Sequence, residues 1–189
     1  LDRFDPPHDK GSHHGDTRII RHAYGEGASY VPLALRAQEL WLELEKHWGS
    51  PLFLRTGVLN LGHAQSPFIK EIVSSAKTYS LPVEVLPGPK VRELWPGIRI
   101  PDDMVGCYEP DSGVLKSEQC VRAFRQLSEQ QGARVLTNTR VLQIVVHSRG
   151  VTVHTDAGSY HGEAMFLSAG AWASKLLSGM GLNLPLQPL

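Results

Sequence analysis

The spacing of hydrophobic and polar residues predicts four helices along the chain. The clearest covers Tyr30 to Trp48, where apolar residues recur every three or four positions between Arg, Lys and Glu. Shorter stretches with a similar pattern predict helices at Ser66 to Ser80, at Lys90 to Trp95 and at Ser117 to Gln131. The segment from Asp16 to Tyr24 mixes polar and apolar residues, and Asp16 is a plausible N-cap for a further helical turn there.

Short runs that are β-branched or alternate in polarity predict two groups of strands between these helices. Strands of the first group are expected at Phe53 to Leu61, Val83 to Leu86, Val105 to Glu109 and Gly113 to Leu115. The second group is broken by Gly and Asp turns, which favours a small antiparallel meander. Its strands are expected at Arg134 to Thr137, Val141 to His147, Val151 to Thr155 and Ser159 to Tyr160.

The last part of the chain changes from an alternating to a continuously apolar pattern at Ala164 to Leu167. A glycine-containing turn, Ser168 to Trp172, and an amphipathic helix through Leu177 follow this apolar run. A strand, a glycine turn and a helix in this order bring the backbone close to a cofactor in α/β folds. The sequence therefore predicts an α/β fold.

Charge and composition exclude several classes of partner. The 189 residues are 41% hydrophobic, and 19 Lys and Arg balance 19 Asp and Glu. No basic run of the kind that nucleic acid or anionic lipid attracts is present, and no apolar stretch approaches the roughly 20 residues that span a bilayer. Only Cys107 and Cys120 occur, without CxxC spacing. Two core thiols and a reducing, cytoplasmic setting are therefore expected, without nucleic acid or membrane as a partner.

The segment from Gly11 to His22 has the highest density of polar and ionisable residues that could bind a ligand or take part in catalysis. If its second half is helical, His14, Arg18 and Arg21 share one face, where two guanidiniums and an imidazole converge. Such a face suits a carboxylate or a diphosphate, because arginine pairs with these groups bidentately. Equally consistent with the spacing is an arginine pair that is solvated or salt-bridged to glutamates of the next helix.

Two other groups of polar residues have weaker claims. An acidic residue that ends a Rossmann strand binds ribose, but the strand and glycine turn that should precede Asp2 are absent, so spacing alone makes Asp2 a turn residue. A second cluster of loop residues matches no common zinc spacing, so no metal site is predicted. Its members are Asp5, His8, Asp9, His13, His14 and Asp16.

These segments together resemble monomeric sarcosine oxidase and N-methyltryptophan oxidase, which form one family of FAD-dependent amine oxidases. The resemblance covers essentially the whole chain in order. It rests on Phe4 to His8, Gly11 to Tyr24, Tyr30 to Ala34, Thr56 to Leu59, Trp95 to Gly97, Glu109 to Leu115, Ser168 to Trp172 and Pro185 to Pro188.

The resemblance implies a role for individual residues. Arg21 would bind the substrate carboxylate, and His14 and Arg18 would act at the reacting centre. Asp2 would hold the ADP ribose, Arg3 would lie next to it at the adenosine end of FAD, and the backbone of Val141 would contact the adenine side. The residues expected along the flavin and its diphosphate are Ser12, His13, His14, Thr17, Arg18, Ala169 and Gly170.

The resemblance also implies a reaction. The family transfers a hydride equivalent from the N-methyl carbon of an amino acid to FAD, the imine hydrolyses to formaldehyde, and dioxygen reoxidises the flavin to give hydrogen peroxide. The family's first strand and glycine-rich turn are expected before Leu1. The cysteine that bonds FAD covalently and the lysine that activates dioxygen are expected after Leu189. Neither Cys107 nor Cys120 lies in the flavin-linking motif.

The expected architecture is a partial FAD-binding domain of the glutathione-reductase-like, Rossmann type with an inserted part of an α+β substrate domain. Residues 1–55 and 114–189 would belong to the FAD-binding domain and residues 56–113 to the substrate domain. Two functions stay open. The first is oxidative demethylation of sarcosine or a similar N-methyl amino acid by a monomer. The second is an inactive fragment with weak or no FAD binding that self-associates through exposed sheet edges.

Overall fold

The computed structural model describes residues 1–186, which divide into two compact units. One unit consists of residues 1–15 together with the described residues from Phe124 onward, and the other consists of residues 16–123. Nine strands are present in the described part of the chain. They are β1 (Thr17–Ile20), β2 (Phe53–Leu54), β3 (Val58–His63), β4 (Glu84–Pro87), β5 (Met104–Glu109), β6 (Gly113–Lys116), β7 (Val141–His147), β8 (Gly150–Thr155) and β9 (Gly158–Gly162).

Five α-helices accompany these strands. They are α1 (Val31–Trp48), α2 (Pro67–Thr78), α3 (Gly88–Leu94), α4 (Ser117–Gln130) and α5 (Ala173–Ser178). Short 3₁₀ turns at Ala28–Tyr30 and Gly170–Trp172 lead into α1 and α5. The four helices predicted from the spacing of apolar residues are confirmed, with ends that differ by a few residues. Within the described residues, no helix is long and apolar enough to cross a membrane.

Two three-stranded antiparallel sheets lie in the unit of residues 16–123. The first has the order β1-β6-β2, in which Ile20 pairs with Gly113 and Leu54 with Val114. The second has the order β3-β5-β4. In that sheet Asn60 pairs with Cys107. Both sheets place in their centre a strand that comes late in the chain, so neither can form from local hairpins alone.

The unit containing residues 124–186 holds the third sheet, an antiparallel meander of β7, β8 and β9. Tight turns join its strands, with Gly150 and Gly158 at positive φ angles. The meander is confirmed by the structure, although Arg134 to Thr137 is not one of its strands. Those residues instead exchange irregular backbone hydrogen bonds with the start of the chain, for example from Asp2 N–H to Leu136 O at 2.8 Å.

Each sheet has its own hydrophobic cluster, because each apolar face is covered by a helix or an extended segment. The β1-β6-β2 cluster includes Leu52 and Ala123, both fully buried, and α1 packs against it through Trp41 and Leu44. The other clusters are smaller. Around β5 and α2 the buried members are Ala23, Ile69, Ile72, Ala76 and Cys107. In the meander they are Ile144, Val151 and Val153.

The prediction of a buried strand at Ala164 to Leu167 was wrong. Met165 and Leu167 pack against the meander cluster, whereas the Phe166 side chain is 97% exposed. An extended segment turns alternate side chains to opposite sides, and here only one side meets the protein. The segment therefore has the residue composition of a buried strand, but within the described part of the chain it pairs with no other strand and only one of its two sides is covered by protein.

Cys107 and Cys120 are both free and buried, as the sequence predicted. Burial raises the pKa of the Cys120 thiol from its ordinary value of 9.0 to about 11. Burial also raises the pKa of Cys107, and the nearby Glu109 carboxylate adds to that rise. Thiolate is the reactive form of cysteine, so both side chains are expected to be inert at neutral pH.

Alkylation with iodoacetamide at pH 8 is expected to be slow at both cysteines in the native protein and rapid after unfolding. For Cys120, an unfolded thiol loses its proton near pH 9.0 and the folded thiol near pH 11. The free energy of unfolding should therefore be intact below pH 9 and decline across this interval. Peptide mapping by mass spectrometry provides the measurement, and rapid labelling of the native protein would contradict the buried positions.

Candidate active site

Strand β1 leads directly into the candidate site, so the helical turn for which Asp16 was a plausible N-cap is not formed. Asp16 caps no helix, because the residues that follow it form β1, and its carbonyl oxygen accepts the N–H of Ser117 at 2.9 Å. Strand pairing gives β1 a period of two, so Ile20 is buried while Ile19 is 67% exposed. Arg18 and Arg21 therefore do not share a helix face. Arg18 is exposed, and its Nη1 donates to the Thr17 carbonyl at 2.7 Å.

Arg21 follows β1 and lies in an aromatic setting. Its guanidinium carbon is 5.1 Å from the centroid of the Tyr24 ring and 5.8 Å from that of Phe68. Its Nη2 also forms an ion pair with the carboxylate of Glu26. Aromatic faces attract cations, and a guanidinium has five N–H donors. The structure therefore holds Arg21 as a half-buried cation in contact with a carboxylate.

The salt-bridge alternative is correct in part. Arg21 is paired with a glutamate, but Glu26 belongs to the loop before α1 and not to the helix itself. The arginine that pairs with glutamates of that helix is Arg36, whose contacts with Glu39 and Glu43 are exposed.

A buried carboxylate, that of Glu109, lies under the main chain that follows Arg21. The sequence alone did not identify Glu109 as a residue of the site. Glu109 is only 3% exposed. Its Oε2 accepts the backbone N–H groups of His22 and Ala23, each at 2.9 Å, and the hydroxyl of Ser112 at 3.0 Å. Its Oε1 accepts Asn60 Nδ2 at 2.8 Å. Four donors thus converge on one carboxylate at the end of β5.

The Ser112 hydroxyl connects this carboxylate to His22. Its single hydrogen is directed to Glu109, so the oxygen is left to accept the Nδ1–H of His22 at 3.3 Å. This assignment of the His22 tautomer follows from the hydrogen-bond network. Only the position of Glu109, an acidic residue at the end of the apolar run from Val105, gave a sequence signal for the network.

Further contacts fix the loop beyond Ala23. Ser75 of α2 donates its hydroxyl to the carbonyl of Tyr24 at 3.1 Å. The Phe68 ring packs so closely against Gly25 that a Cβ there would lie 2.3 Å from it. Tyr24 and Tyr30 are stacked with ring centroids 5.4 Å apart. The loop is thus held at several successive residues.

In the other unit, the predicted adenosine-end residues lie in a structured loop. Asp2 Oδ1 accepts the N–H of Phe4 at 2.9 Å and lies 3.4 Å from His8 Nε2. The Arg3 guanidinium lies 5.3 Å from the Phe4 ring centroid. His13 Nε2 accepts the N–H of His8 at 3.1 Å, which ties His13 to the loop. Ser12 and His14 are exposed in the same loop.

Three other predicted cofactor residues also belong to this unit. Val141 opens β7, and the preceding residue, Arg140, exchanges two hydrogen bonds with Asp156. Ala169 and Gly170 begin the 3₁₀ turn before α5. Gly170 has a φ of +54°, and a Cβ built there would meet nothing within 4 Å. Thr17, by contrast, is in β1 of the unit that contains Arg18 and Arg21.

The chemistry of these residues fits a flavin nucleotide. The Asp2 side chain is 37% exposed and retains acceptor capacity for ribose hydroxyl groups. The open space at Gly170 leaves room for a ligand beside the backbone. Across residues 1–186, no group of three or more His, Cys, Asp or Glu side chains could hold a metal ion.

Comparison with known proteins supports the resemblance. The family model described as FAD dependent oxidoreductase matches residues 1–189. The monomeric sarcosine oxidase of Bacillus sp. (strain B-0618) is 53% identical over 189 residues, which are 100% of this chain and 48% of that protein. The N-methyl-L-tryptophan oxidase of Citrobacter koseri is 47% identical over 184 residues, which are 97% of this chain and 48% of that protein.

Solved structures agree with this assignment at the level of the fold. NikD, an unusual amino acid oxidase essential for nikkomycin biosynthesis, superimposes in its open form with a TM-score of 0.86 at 24% identity. The match covers 95% of this chain and 47% of NikD. The chain spans about half the length of the curated relatives it matches. It belongs to the FAD-dependent oxidoreductase family and is similar throughout to the monomeric sarcosine oxidases and N-methyl amino acid oxidases within it.

Proposed function

We propose that a full-length protein containing this chain oxidises sarcosine or a similar N-methyl amino acid, giving formaldehyde, the demethylated amine and hydrogen peroxide. The observation that carries the proposal is the setting of Arg21. Its guanidinium lies beside two aromatic rings, on a fixed loop, in contact with a carboxylate. A substrate carboxylate has the same chemistry as the carboxylate of Glu26, and would be bound by the same N–H donors.

The aromatic rings beside Arg21 suit a substrate that combines a carboxylate with an apolar methyl group. Tyr24 and Phe68 present ring faces to the guanidinium and exclude water from one side of it. A charge-assisted hydrogen bond is stronger where water is excluded. The N-methyl group of the substrate is itself apolar, so apolar walls would contact it favourably. Arg21 would thus fix one end of the substrate and leave its N-methyl carbon to be oriented.

FAD supplies the electron chemistry of this reaction when bound. The residues that we assign to it are those of the resemblance. Asp2 would bind the ADP ribose, Arg3 would lie next to it at the adenosine end, and the backbone of Val141 would contact the adenine side. Ser12, His13, Thr17, Ala169 and Gly170 would line the flavin and its diphosphate. His14 and Arg18 would act beside the reacting centre. Within this assignment, residues 1–55 and 114–189 serve the FAD-binding domain and residues 56–113 the substrate domain.

The alternative function concerns the 189-residue chain by itself. It spans about half the length of its relatives, and each of the three sheets formed by residues 1–186 has only three strands. Strands at the edge of a sheet present unpaired N–H and C=O groups that can pair with another chain. On this alternative the isolated chain is inactive, binds FAD weakly or not at all, and self-associates through β1, β2, β3, β4, β7 or β9.

Peroxide formation tests the proposal directly. The full-length protein should consume dioxygen and release hydrogen peroxide and formaldehyde in equal amounts with sarcosine, and a comparison with N-methyl-L-tryptophan would show which side chain the pocket prefers. The primary amino acid glycine is the matched control, because it has the same carboxylate without an N-methyl group. Absence of peroxide with every N-methyl amino acid would refute the proposal. The isolated chain should stay colourless, and a flavin spectrum with turnover would refute the alternative.

A further inference from the structure

The Glu109 network lies next to Arg21 without touching its side chain. The carboxylate accepts the N–H groups of the two residues that directly follow Arg21, His22 and Ala23. These residues are 86 and 87 positions away from Glu109 in sequence. This long-range contact fixes the backbone of His22 and Ala23, which follow β1 and are not part of a helix or strand.

The network is buried, and its carboxylate accepts four hydrogen bonds. Glu109 is 3% exposed, Ser112 is fully buried and His22 is 4% exposed. Two backbone N–H groups, one hydroxyl and one side-chain amide point at the two oxygens, so the ionised carboxylate is the form that fits. Hydrogen bonds to a charged acceptor are roughly twice as strong as neutral ones. The carboxylate is therefore a rigid anchor for the loop.

The anchor is itself fixed by the β3-β5-β4 sheet. Asn60 of β3 lies opposite Cys107, two residues before Glu109 on β5, so Asn60 and Glu109 project from the same face of the sheet. Cys107 on that face packs in the cluster that contains Ala23. The sheet therefore determines both the position of the carboxylate and the depth at which the loop is buried.

We propose that Glu109 is a positioning residue that orients Arg21 for the substrate carboxylate by holding the backbone of His22 and Ala23. The proposal rests on the assignment of Arg21 to substrate binding under the proposed function. Arg21 has several rotatable bonds, and the contacts of its guanidinium with the rings of Tyr24 and Phe68 do not fix its backbone. The hydrogen bonds from His22 and Ala23 to Glu109 fix the backbone next to Arg21, and so fix the position from which the Arg21 side chain extends. Loss of the anchor would let the Arg21 Cα shift, and the guanidinium would then meet the substrate carboxylate in a poorer geometry and bind it less tightly.

Two substitutions of Glu109 test this in the full-length protein. Glu109→Asp keeps the charge but withdraws the carboxylate by one methylene, so it cannot reach both N–H groups. Glu109→Gln keeps one oxygen for the backbone N–H groups, and its amide N–H₂ can donate to Asn60 once the Asn60 amide is turned over. The KM for sarcosine is expected to rise about tenfold in Glu109→Asp and to stay within about threefold in Glu109→Gln. Because both variants keep a polar side chain of similar size, each is expected to fold.

The split between KM and kcat separates positioning from general damage. Per bound flavin, kcat at saturating sarcosine should change by less than about threefold in Glu109→Asp, because the loss is one of binding. The inhibition constant of acetate, a carboxylate without an amine, should rise in parallel with KM. Glu84→Gln removes a carboxylate from an exposed position on β4 of the same sheet and serves as the control, with both constants unchanged.

The possible results decide between the two proposals. An unchanged KM in Glu109→Asp, or equal losses in kcat and in acetate binding, would overturn the positioning role. Arg21→Met measured in parallel makes the failures distinguishable. If Arg21→Met raises the KM and Glu109→Asp does not, only the role of Glu109 fails. If neither variant changes it, the assignment of Arg21 to the substrate carboxylate fails as well.

Discussion

Arg21→Met in the full-length protein is expected to raise the KM for sarcosine about 100-fold, with kcat changed far less. Methionine keeps an unbranched apolar side chain against Tyr24 and Phe68 but removes every N–H donor. A 100-fold loss corresponds to about 2.7 kcal/mol of binding free energy, which is within the range of a hydrogen-bonded charge pair. Steady-state kinetics at constant dioxygen provide the measurement.

The control for this substitution is Arg36→Met. Arg36 is also paired with carboxylates, those of Glu39 and Glu43, but all three side chains are more than half exposed on α1. Exposed pairs contribute little to stability, so this variant should keep both its KM and its melting temperature. An unchanged KM in Arg21→Met would show that the substrate carboxylate binds elsewhere, and the proposed site would have to be abandoned.

Gly113→Ala is expected to destabilise the protein by about 3 kcal/mol or more. Gly113 starts β6, the central strand of the β1-β6-β2 sheet, and is buried. A Cβ there would lie 2.0 Å from the carbonyl oxygen of Leu54 and 2.9 Å from the backbone nitrogen of Thr56. These are main-chain atoms, so the added methyl group cannot be accommodated by a rotamer change, and β2 would have to move away from β6.

Thermal unfolding followed by circular dichroism provides the measurement, with Gly97→Ala as the matched control. Gly97 is exposed, and a Cβ there would meet nothing within 4 Å. The control should keep its melting temperature within about a degree, since surface changes away from special features are nearly neutral. Equal melting temperatures for Gly113→Ala and the unchanged protein would mean that β2 does not pack against β6 as described.

Elements with a strong local signal were predicted well. The helix α1 has a long apolar period, and the β7-β9 meander has alternating residues separated by glycine turns that need positive φ angles. Four-residue β1 carries no comparable signal. Whether its residues form a strand depends on β6, which is almost a hundred residues away. Sequence windows of ordinary length cannot contain that information.

Of the candidate site, the sequence predicted Arg21 but not Glu109. Arg21 was identified because arginine chemistry and a family resemblance both pointed to a carboxylate ligand. The helix face that it was expected to share with His14 and Arg18 does not exist, because Arg18 is in strand β1. Glu109 has no comparable signal of its own, because it stands in the sequence only as the first residue of the motif from Glu109 to Leu115. Its four hydrogen bonds join residues from three distant parts of the chain, and a buried carboxylate in a sequence looks like any other glutamate. Burial and partners of this kind are set by the tertiary fold.

The strand order β1-β6-β2 also has a consequence for biosynthesis. On the ribosome β1 and β2 emerge first, and both must wait for β6, their only partner in that sheet among the described residues. For β1 the wait is almost a hundred residues, or about 5 to 20 s at the usual speeds of translation. During that time the nascent segment from Thr17 to Ile20 has no partner strand in this sheet, so its backbone N–H and C=O groups stay open to pairing with other chains until β6 has left the ribosome.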